Sequence, residues 1–247
     1  MSAMEGEGKL DAISNSILSF IDILDSYGAA SWSLRSVAFT SFAILMGLQV
    51  QGKVRGVYWH SIVNALITGI GSAMCVYLDV FASDAISGTA EPLRSIRCEG
   101  PLTSLHRLLP AVLLGYAAAD VIDALHLGSD FLVHGLSVSI VMGVVCELGL
   151  SHHVTPMLLM EVSTIFLNLG AADFIPDSIS VVIQLIFVML FFLVRIVVVP
   201  YIWFVWVKTF HEEQTKAEKE MCFPHWFIYI VLVFGIIFHT LNLYWMY

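Results

Sequence analysis

Residues 105–141 read LHRLLPAVLLGYAAADVIDALHLGSDFLVHGLSVSIV, and residues 147–170 read ELGLSHHVTPMLLMEVSTIFLNLG. These are apolar runs of membrane-span length, yet Asp120, Asp130, His134, His152, His153 and Glu161 sit in or beside them. An ionisable side chain at the centre of a span costs roughly 2.5–3.5 kcal/mol on insertion scales, so such residues face a bundle interior or a wet cavity. Six in one region exceed what packing requires. The stretch therefore predicts a polyhelical membrane bundle whose chemistry lies inside it.

The totals agree. Of 247 residues, 58% are hydrophobic and 13% charged, where a soluble domain carries about 25% charged; the mean hydropathy is +0.86. A formal net charge of −9 argues against nucleic acid and against a polybasic clamp on lipid headgroups. Cys75, Cys98, Cys146 and Cys222 are scattered without C-x-x-C spacing, so no zinc site and no disulfide framework is expected. Cys75 and Cys146 fall inside spans and read as small packing residues. The N-terminus is acidic at Glu5, Glu7 and Asp11, without the basic and apolar regions of a signal peptide.

A span needs about 20 mostly apolar residues. Seven segments qualify: Trp32–Gln49, Val57–Phe81, Leu105–Ala124, Phe131–Leu150, His153–Leu169, Ser178–Val207 and His225–Tyr247. Upstream, Leu10, Ile13, Ile17, Phe20, Ile21 and Leu24 recur at helical spacing opposite Asp11, Ser14, Asp22 and Asp25, which predicts an amphipathic helix at the interface or packed on the bundle. Residues 1–31 thus form a tail with that helix, and 32–247 the membrane domain. Aromatic belts are expected at Trp32, Trp59, Trp203, Trp206, Trp226 and Trp245. With seven spans, Lys9, Arg94, Arg97, Arg107, Lys208, Lys216 and Lys219 share one side and Lys53 and Arg55 the other, which predicts a cytoplasmic N-terminus. The longest loop, Ala82–Ser104, is polar, with Glu91-Pro92 and Gly100-Pro101, and the charged Lys208–Cys222 link reads as a solvated connection without chemistry.

Helical spacing sorts the polar residues into stripes. Tyr116, Asp120 and Asp123 follow i, i+4, i+7 on the third span, and Asp130, His134 and Ser137 do so on the fourth. His153, Met157, Glu161, Thr164 and Asn168 run down the fifth. His60 and Asn64 share a face of the second, Gln184 and Arg195 of the sixth, His239 and Asn242 of the last. One stripe in nearly every helix implies a closed bundle with a polar interior. Simpler readings stand beside this one. Asp123 and Asp130 flank a short turn and read as wetted, with Asp130 also suited to a helix N-terminus. Arg195 reads either as the buried partner of Glu161 or Asp120 or as a binder of a ligand anion. His152 and His153 read as interfacial, and a metal site there is disfavoured because neighbouring histidines point apart on a helix.

In this order the motifs resemble the TLC-domain family, the TRAM, LAG and CLN homology domain that includes the ceramide synthases. Trp32-Ser33-Leu34-Arg35, Trp59-His60 with Asn64, Gly115-Tyr116 with Asp120, and Asp130-Phe131 with His134 are similar to its successive segments. So are Met160-Glu161-Val162-Ser163-Thr164 with Phe166 and Asn168, Arg195-Ile196-Val197 with Pro200-Tyr201, and His239 to Trp245. Where ceramide synthases carry a His-His pair, this chain has His134-Gly135, and where they carry H-D-x-S-D it has Met160-Glu161 and Thr164. The pattern is closer to the TLCD-like branch, linked to membrane lipid composition.

The resemblance implies an all-α bundle of about seven spans in the endoplasmic reticulum or another endomembrane. It would hold a lipid or fatty-acyl chain, with His60, Tyr116, Asp130, Asn168, Arg195 and His239 as lipid-binding candidates. If the chain is an enzyme, His134, Glu161 and Asp120 are the catalytic candidates for acyl transfer from acyl-CoA, the substrate of that alternative, to a sphingoid amine. No cofactor or metal is expected, and a homodimer is admitted. A retinal protein is disfavoured because His225–Tyr247 contains no Lys. A translocon accessory is a further alternative.

Overall fold

The computed structural model describes residues 2–55, 58–81, 93, 96, 103–214 and 223–246; the side chains of residues 2–11, 30, 53–55, 81 and 127 lie outside that description. Helix α1 spans Ser2–Ser26 and α2 Leu34–Arg55. Next comes α3, Trp59–Ala65, which runs through a π-helical turn, Leu66–Ile70, into α4, Gly71–Phe81. The core pair is α5, Ser104–Leu127, and α6, Ser129–Glu147. The next crossing is broken into α7, Ser151–Val154, a 3-10 segment, Thr155–Met160, and α8, Glu161–Gly170. A long run then joins α9, Asp177–Leu190, a π-helical stretch, Phe191–Val198, and α10, Val199–Glu213. Helix α11, Phe227–Met246, closes the bundle.

No strand occurs among the described residues, and the bundle is all-α. Five helical runs are long and apolar enough to cross a membrane, at Trp59–Val80, Ser104–His126, Ser129–Glu147, Asp177–Glu213 and Phe227–Met246. The other two expected spans are present as helices but fall short of that measure. In α2 the apolar run is interrupted by Arg35, Ser36, Thr40, Ser41, Gln49 and Gln51. In the fifth crossing the 3-10 segment divides the helix. Asp177–Glu213, at 37 residues and about 1.5 Å per residue, overhangs a hydrocarbon core about 30 Å thick.

Contacts between termini define two ends of the bundle. At the His106 end, Arg35 pairs with Glu147, and the Arg107 guanidinium donates to the carbonyls of Ala29 and Trp32. Asp79 lies 3.4 Å from His106 there. At the Trp245 end, the Trp245 indole donates to Asp130 at 3.0 Å, and Trp59 stacks on Phe174. Successive crossings therefore alternate in direction.

The tight places follow from local chemistry. α5 and α6 meet through Gly128 alone, whose φ of +142° lies in the left-handed region that favours glycine. α5 packs on α2 at Gly115, where a Cβ would stand 2.4 Å from the Ala38 carbonyl oxygen; small residues let membrane helices approach this closely. α1 buries Ile17 and Ile21 against the bundle and leaves Ile13 and Phe20 exposed. Cys98, Cys222, Glu5, Glu7, Asp11, Glu91-Pro92 and Gly100-Pro101 lie outside the described residues or side chains.

Three expectations need correction. Trp206 is buried in the core, not in an interfacial belt, because the helix continues past it and buries Phe210 and Glu213 as well. The first part of the Lys208–Cys222 link is thus folded helix. His153 is fully buried, its ring 4.5 Å from Phe223 and 3.8 Å from His152. The neighbouring rings meet because α7 is a single turn that gives way to a 3-10 segment, so regular α-helical angles do not govern them.

Pro110 inside α5 has no N–H for the carbonyl four residues earlier, that of His106. The Thr155 hydroxyl donates to that oxygen at 2.6 Å, and Ser72 in turn donates to the Thr155 carbonyl at 2.7 Å. Thr155→Val should leave the carbonyl unpaired and cost about 1–3 kcal/mol, whereas Thr155→Ser should be nearly silent. Thermal unfolding of detergent-purified protein checks this; indistinguishable melting of the two variants contradicts it.

Candidate functional site

Between α3, α5, α6, α8, the π-helical stretch and α11 lies a cavity of about 490 Å³. His60, Ser61, Tyr116, Asp120, Asp123, His134, Glu161, Thr164, Asn168 and Arg195 supply its polar groups. Each arrives by the spacing of its helix. Tyr116, Asp120 and Asp123 occupy one face of α5, and Glu161, Thr164 and Asn168 one face of α8. Rings of Tyr58, Phe131, Phe187, Phe191 and Trp245 complete the wall.

Arg195 forms the inner end. Its Nε donates to the Ser163 hydroxyl at 3.0 Å and the Met160 carbonyl at 3.2 Å. Nη2 donates to Thr164 at 2.8 Å and lies 4.0 Å from Glu161 Oε1, and Nη1 donates to Asn242 Oδ1 at 3.3 Å. The plane sits 5.3 Å from the Phe191 ring, a cation–π distance. The guanidinium therefore ties α8 to α11 from the π-helical stretch. The reading of Arg195 as the partner of Glu161 describes this geometry, with Asp120 elsewhere in the wall.

A second hydrogen-bonded group lies toward the Trp245 end. The Tyr116 hydroxyl is 3.3 Å from both Ser61 Oγ and Asp120 Oδ1 and donates to one at a time. Asn168 donates to Ser61 Oγ at 2.9 Å. His60 stacks on Tyr116 with 5.9 Å between centroids, and its Nε2 is 3.8 Å from Asp123 Oδ2. His134 stands edge-on to Trp245 at 5.2 Å and Phe238 at 5.9 Å, and among the described residues its Nδ1 has no hydrogen-bond partner.

Seven of the nine expected residues thus share one cavity: His134, Glu161, Asp120, His60, Tyr116, Asn168 and Arg195. Asp130 stands beside it in the first turn of α6 and fixes Trp245, which does line the wall. His239 lies apart. Its ring meets Trp203 at 5.1 Å, on the side of α11 that faces α10, and both ring nitrogens lack a partner among the described residues. Gln184 is exposed and bonded to Ser180, because the π-helical stretch after it shifts the register that linked it to Arg195.

Asp123 corrects the wetted reading: it is buried and lines the cavity. The one-residue connection at Gly128 keeps the last turns of α5 inside the bundle. Ser61 belongs to none of the expected stripes, yet it accepts from two of the candidates, Tyr116 and Asn168. Its signal is the small-residue stripe Ser61, Ala65, Thr68 and Ser72, every member buried.

Burial makes removal of Arg195 costly, since a broken buried pair is worth about 3–5 kcal/mol. Arg195→Ala should lose most of the folded protein in detergent. Glu161→Gln should melt closer to wild type, because Ser163, Thr164, Asn242 and Met160 still hold the guanidinium. Thermal melting with size-exclusion recovery measures both, and an Arg195→Ala protein as stable as wild type would contradict the brace.

A family model for the TLC domain matches residues 59–247. No curated protein and no solved structure gives a significant match. The match begins at the second expected span, so the likeness at Trp32–Arg35 lies outside it, and the remaining motifs lie within. The chain belongs to the TLC-domain family and is a multipass membrane protein.

Proposed function

We propose that this protein binds a membrane lipid or its acyl chain in the cavity between α5 and α8 and thereby influences membrane lipid composition. The observation that carries this reading is the cavity itself. A space of about 490 Å³, polar at Arg195 and Glu161 and walled by aromatic and aliphatic side chains, matches an amphiphile in shape and chemistry. Head contacts would come from Glu161, Asp120, Tyr116, Asn168 and Arg195, and ring contacts from His60, His134 and Trp245. The resemblance to the TLCD-like branch and a residence in the endoplasmic reticulum or another endomembrane belong to the same proposal.

The second reading is acyl transfer from acyl-CoA to a sphingoid amine. In its favour, His134, Glu161 and Asp120 share one cavity, and a base in a low-dielectric site is effective. Against it, an acid–base histidine is normally oriented by a third group, and among the described residues no carboxylate bonds the His134 ring. Its neighbours are Trp245 and Phe238.

One experiment separates the two. Detergent-purified protein is incubated with acyl-CoA and a sphingoid base, and products and co-purified lipids are read by mass spectrometry. The expected result is a defined co-purified lipid, no ceramide, and loss of that lipid in His134→Ala, Glu161→Ala and Asp120→Ala. Ceramide that disappears in His134→Ala would instead establish the transferase. Unchanged lipid in all three variants would remove the cavity from the account.

A further inference from the structure

Helix α1 precedes the residues matched by the TLC-domain model and contributes nothing to the cavity wall. At 3.6 residues per turn its side chains sort into three faces. Ser14, Ile17, Ile21, Leu24 and Asp25 form one stripe, and all five are buried or half-buried. Beside it runs a ridge of Ile13, Phe20 and, just past the helix end, Tyr27, at seven-residue spacing with Ile23 alongside. These four side chains are 44% to 75% exposed. The third face carries Asn15, Ser19, Asp22 and Ser26, all exposed.

The buried stripe sets the depth of the helix. α1 packs on α4 and α5, and Ile17 and Ile21 belong to one core with Leu78 in the last turn of α4 and Leu105 in the first turn of α5. Arg107, in that same first turn, donates to the carbonyls of Ala29 and Trp32 just after α1. The helix is therefore fastened where two spans end, at the level where hydrocarbon gives way to headgroups. Tyr27 and Trp32, both exposed, stand at the same place, and such rings favour that boundary. Glu5, Glu7, Asp11, Asp22 and Asp25 keep α1 from entering the hydrocarbon lengthwise. Lying flat, it can bury the ridge and leave the third face in water.

Charge selects the surface. Interfacial helices are commonly rich in Lys and Arg, which hold anionic headgroups. α1 sets five carboxylates against Lys9 alone. The negative potential of an anionic leaflet attracts basic segments and repels this one. Insertion of the ridge has to supply the binding, and neutral headgroups oppose it least.

We propose that α1 is a membrane-surface helix that inserts Ile13, Phe20, Ile23 and Tyr27 among the headgroups of zwitterionic lipid and is driven out of anionic lipid. It does so whatever the cavity holds and whichever end of the bundle faces the cytosol.

Nitroxide accessibility in nanodiscs tests the depth. The full-length chain carries Cys98→Ser, Cys146→Ser and Cys222→Ser, with buried Cys75 retained. One label is placed at Ser16→Cys, whose neighbours at helical spacing are Ile13, Phe20 and Ile23, or at Asn15→Cys on the third face. In phosphatidylcholine the Ser16→Cys label should collide severalfold more with oxygen than with a water-soluble nickel chelate, and the Asn15→Cys label the reverse. Preference for nickel at both sites overturns the proposal, and so does shelter of the Ser16→Cys label from both reagents, the mark of a protein partner. Ile13→Ser with Phe20→Ser should turn the Ser16→Cys label toward nickel without moving the melting temperature, because Ile17 and Ile21 still dock. A label that keeps its oxygen preference there shows that the ridge does not hold the helix in lipid.

The charge selection is read in the same nanodiscs. Replacing half of the phosphatidylcholine by phosphatidylglycerol should lower the oxygen preference at Ser16→Cys severalfold. Glu5→Gln, Glu7→Gln, Asp11→Asn and Asp22→Asn together leave Lys9 against Asp25 and should abolish that response. An oxygen preference that ignores phosphatidylglycerol in the otherwise unaltered chain overturns the choice of neutral lipid.

Discussion

A guanidinium buried at the middle of a membrane bundle has to be satisfied by the protein, because hydrocarbon offers it nothing. Arg195 meets that demand by drawing its acceptors from several segments. These are the end of the 3-10 segment, the first turn of α8 and the last turns of α11. Its position thereby fixes how far α8 and α11 stand from the long helix. The space left between them, α3 and α5 is the cavity. Charge satisfaction and cavity formation are one geometric fact.

The helical irregularities surround that space. The π-helical turn Leu66–Ile70 follows directly on the segment that carries His60 and Ser61. The 3-10 segment Thr155–Met160 delivers Glu161 at its end, and the π-helical stretch Phe191–Val198 contains both Arg195 and Phe191. Departures from α-helix cluster at functional positions because they re-aim side chains that regular spacing would place elsewhere. Within a membrane they persist only where freed backbone groups find partners. The Thr155 hydroxyl on the His106 carbonyl and Ser72 on the Thr155 carbonyl are such partners. Close approach helps as well, since a Cβ on Gly69 would come within 2.9 Å of the Val162 nitrogen.

Much of this was legible in the sequence. Apolar runs of about 20 residues locate the long helices, and i, i+4 spacing is reliable within one uninterrupted helix. Tyr116 with Asp120 and Glu161 with Asn168 were therefore readable as shared faces. The failures have the same root. Gln184 and Arg195 are separated by the onset of a π-helical stretch, and His153 and Glu161 by a 3-10 segment, so in each case the angular count across the break is invalid. Asp123 reads as wetted because it lies near a turn, but a one-residue turn at Gly128 does not take the helix end out of the bundle. His239 shares a helix with Asn242 yet faces Trp203, a contact that depends on the packing of α11 on α10.

The central claim is that an amphiphile occupies the cavity rather than the lipid-facing surface. A photoactivatable diazirine phospholipid, crosslinked in membranes and mapped by peptide mass spectrometry, tests it most directly. The account predicts adducts on cavity residues such as Thr164, Phe187 and Phe191. Adducts confined to exposed positions of α9, such as Val182, Leu185 and Met189, would contradict it.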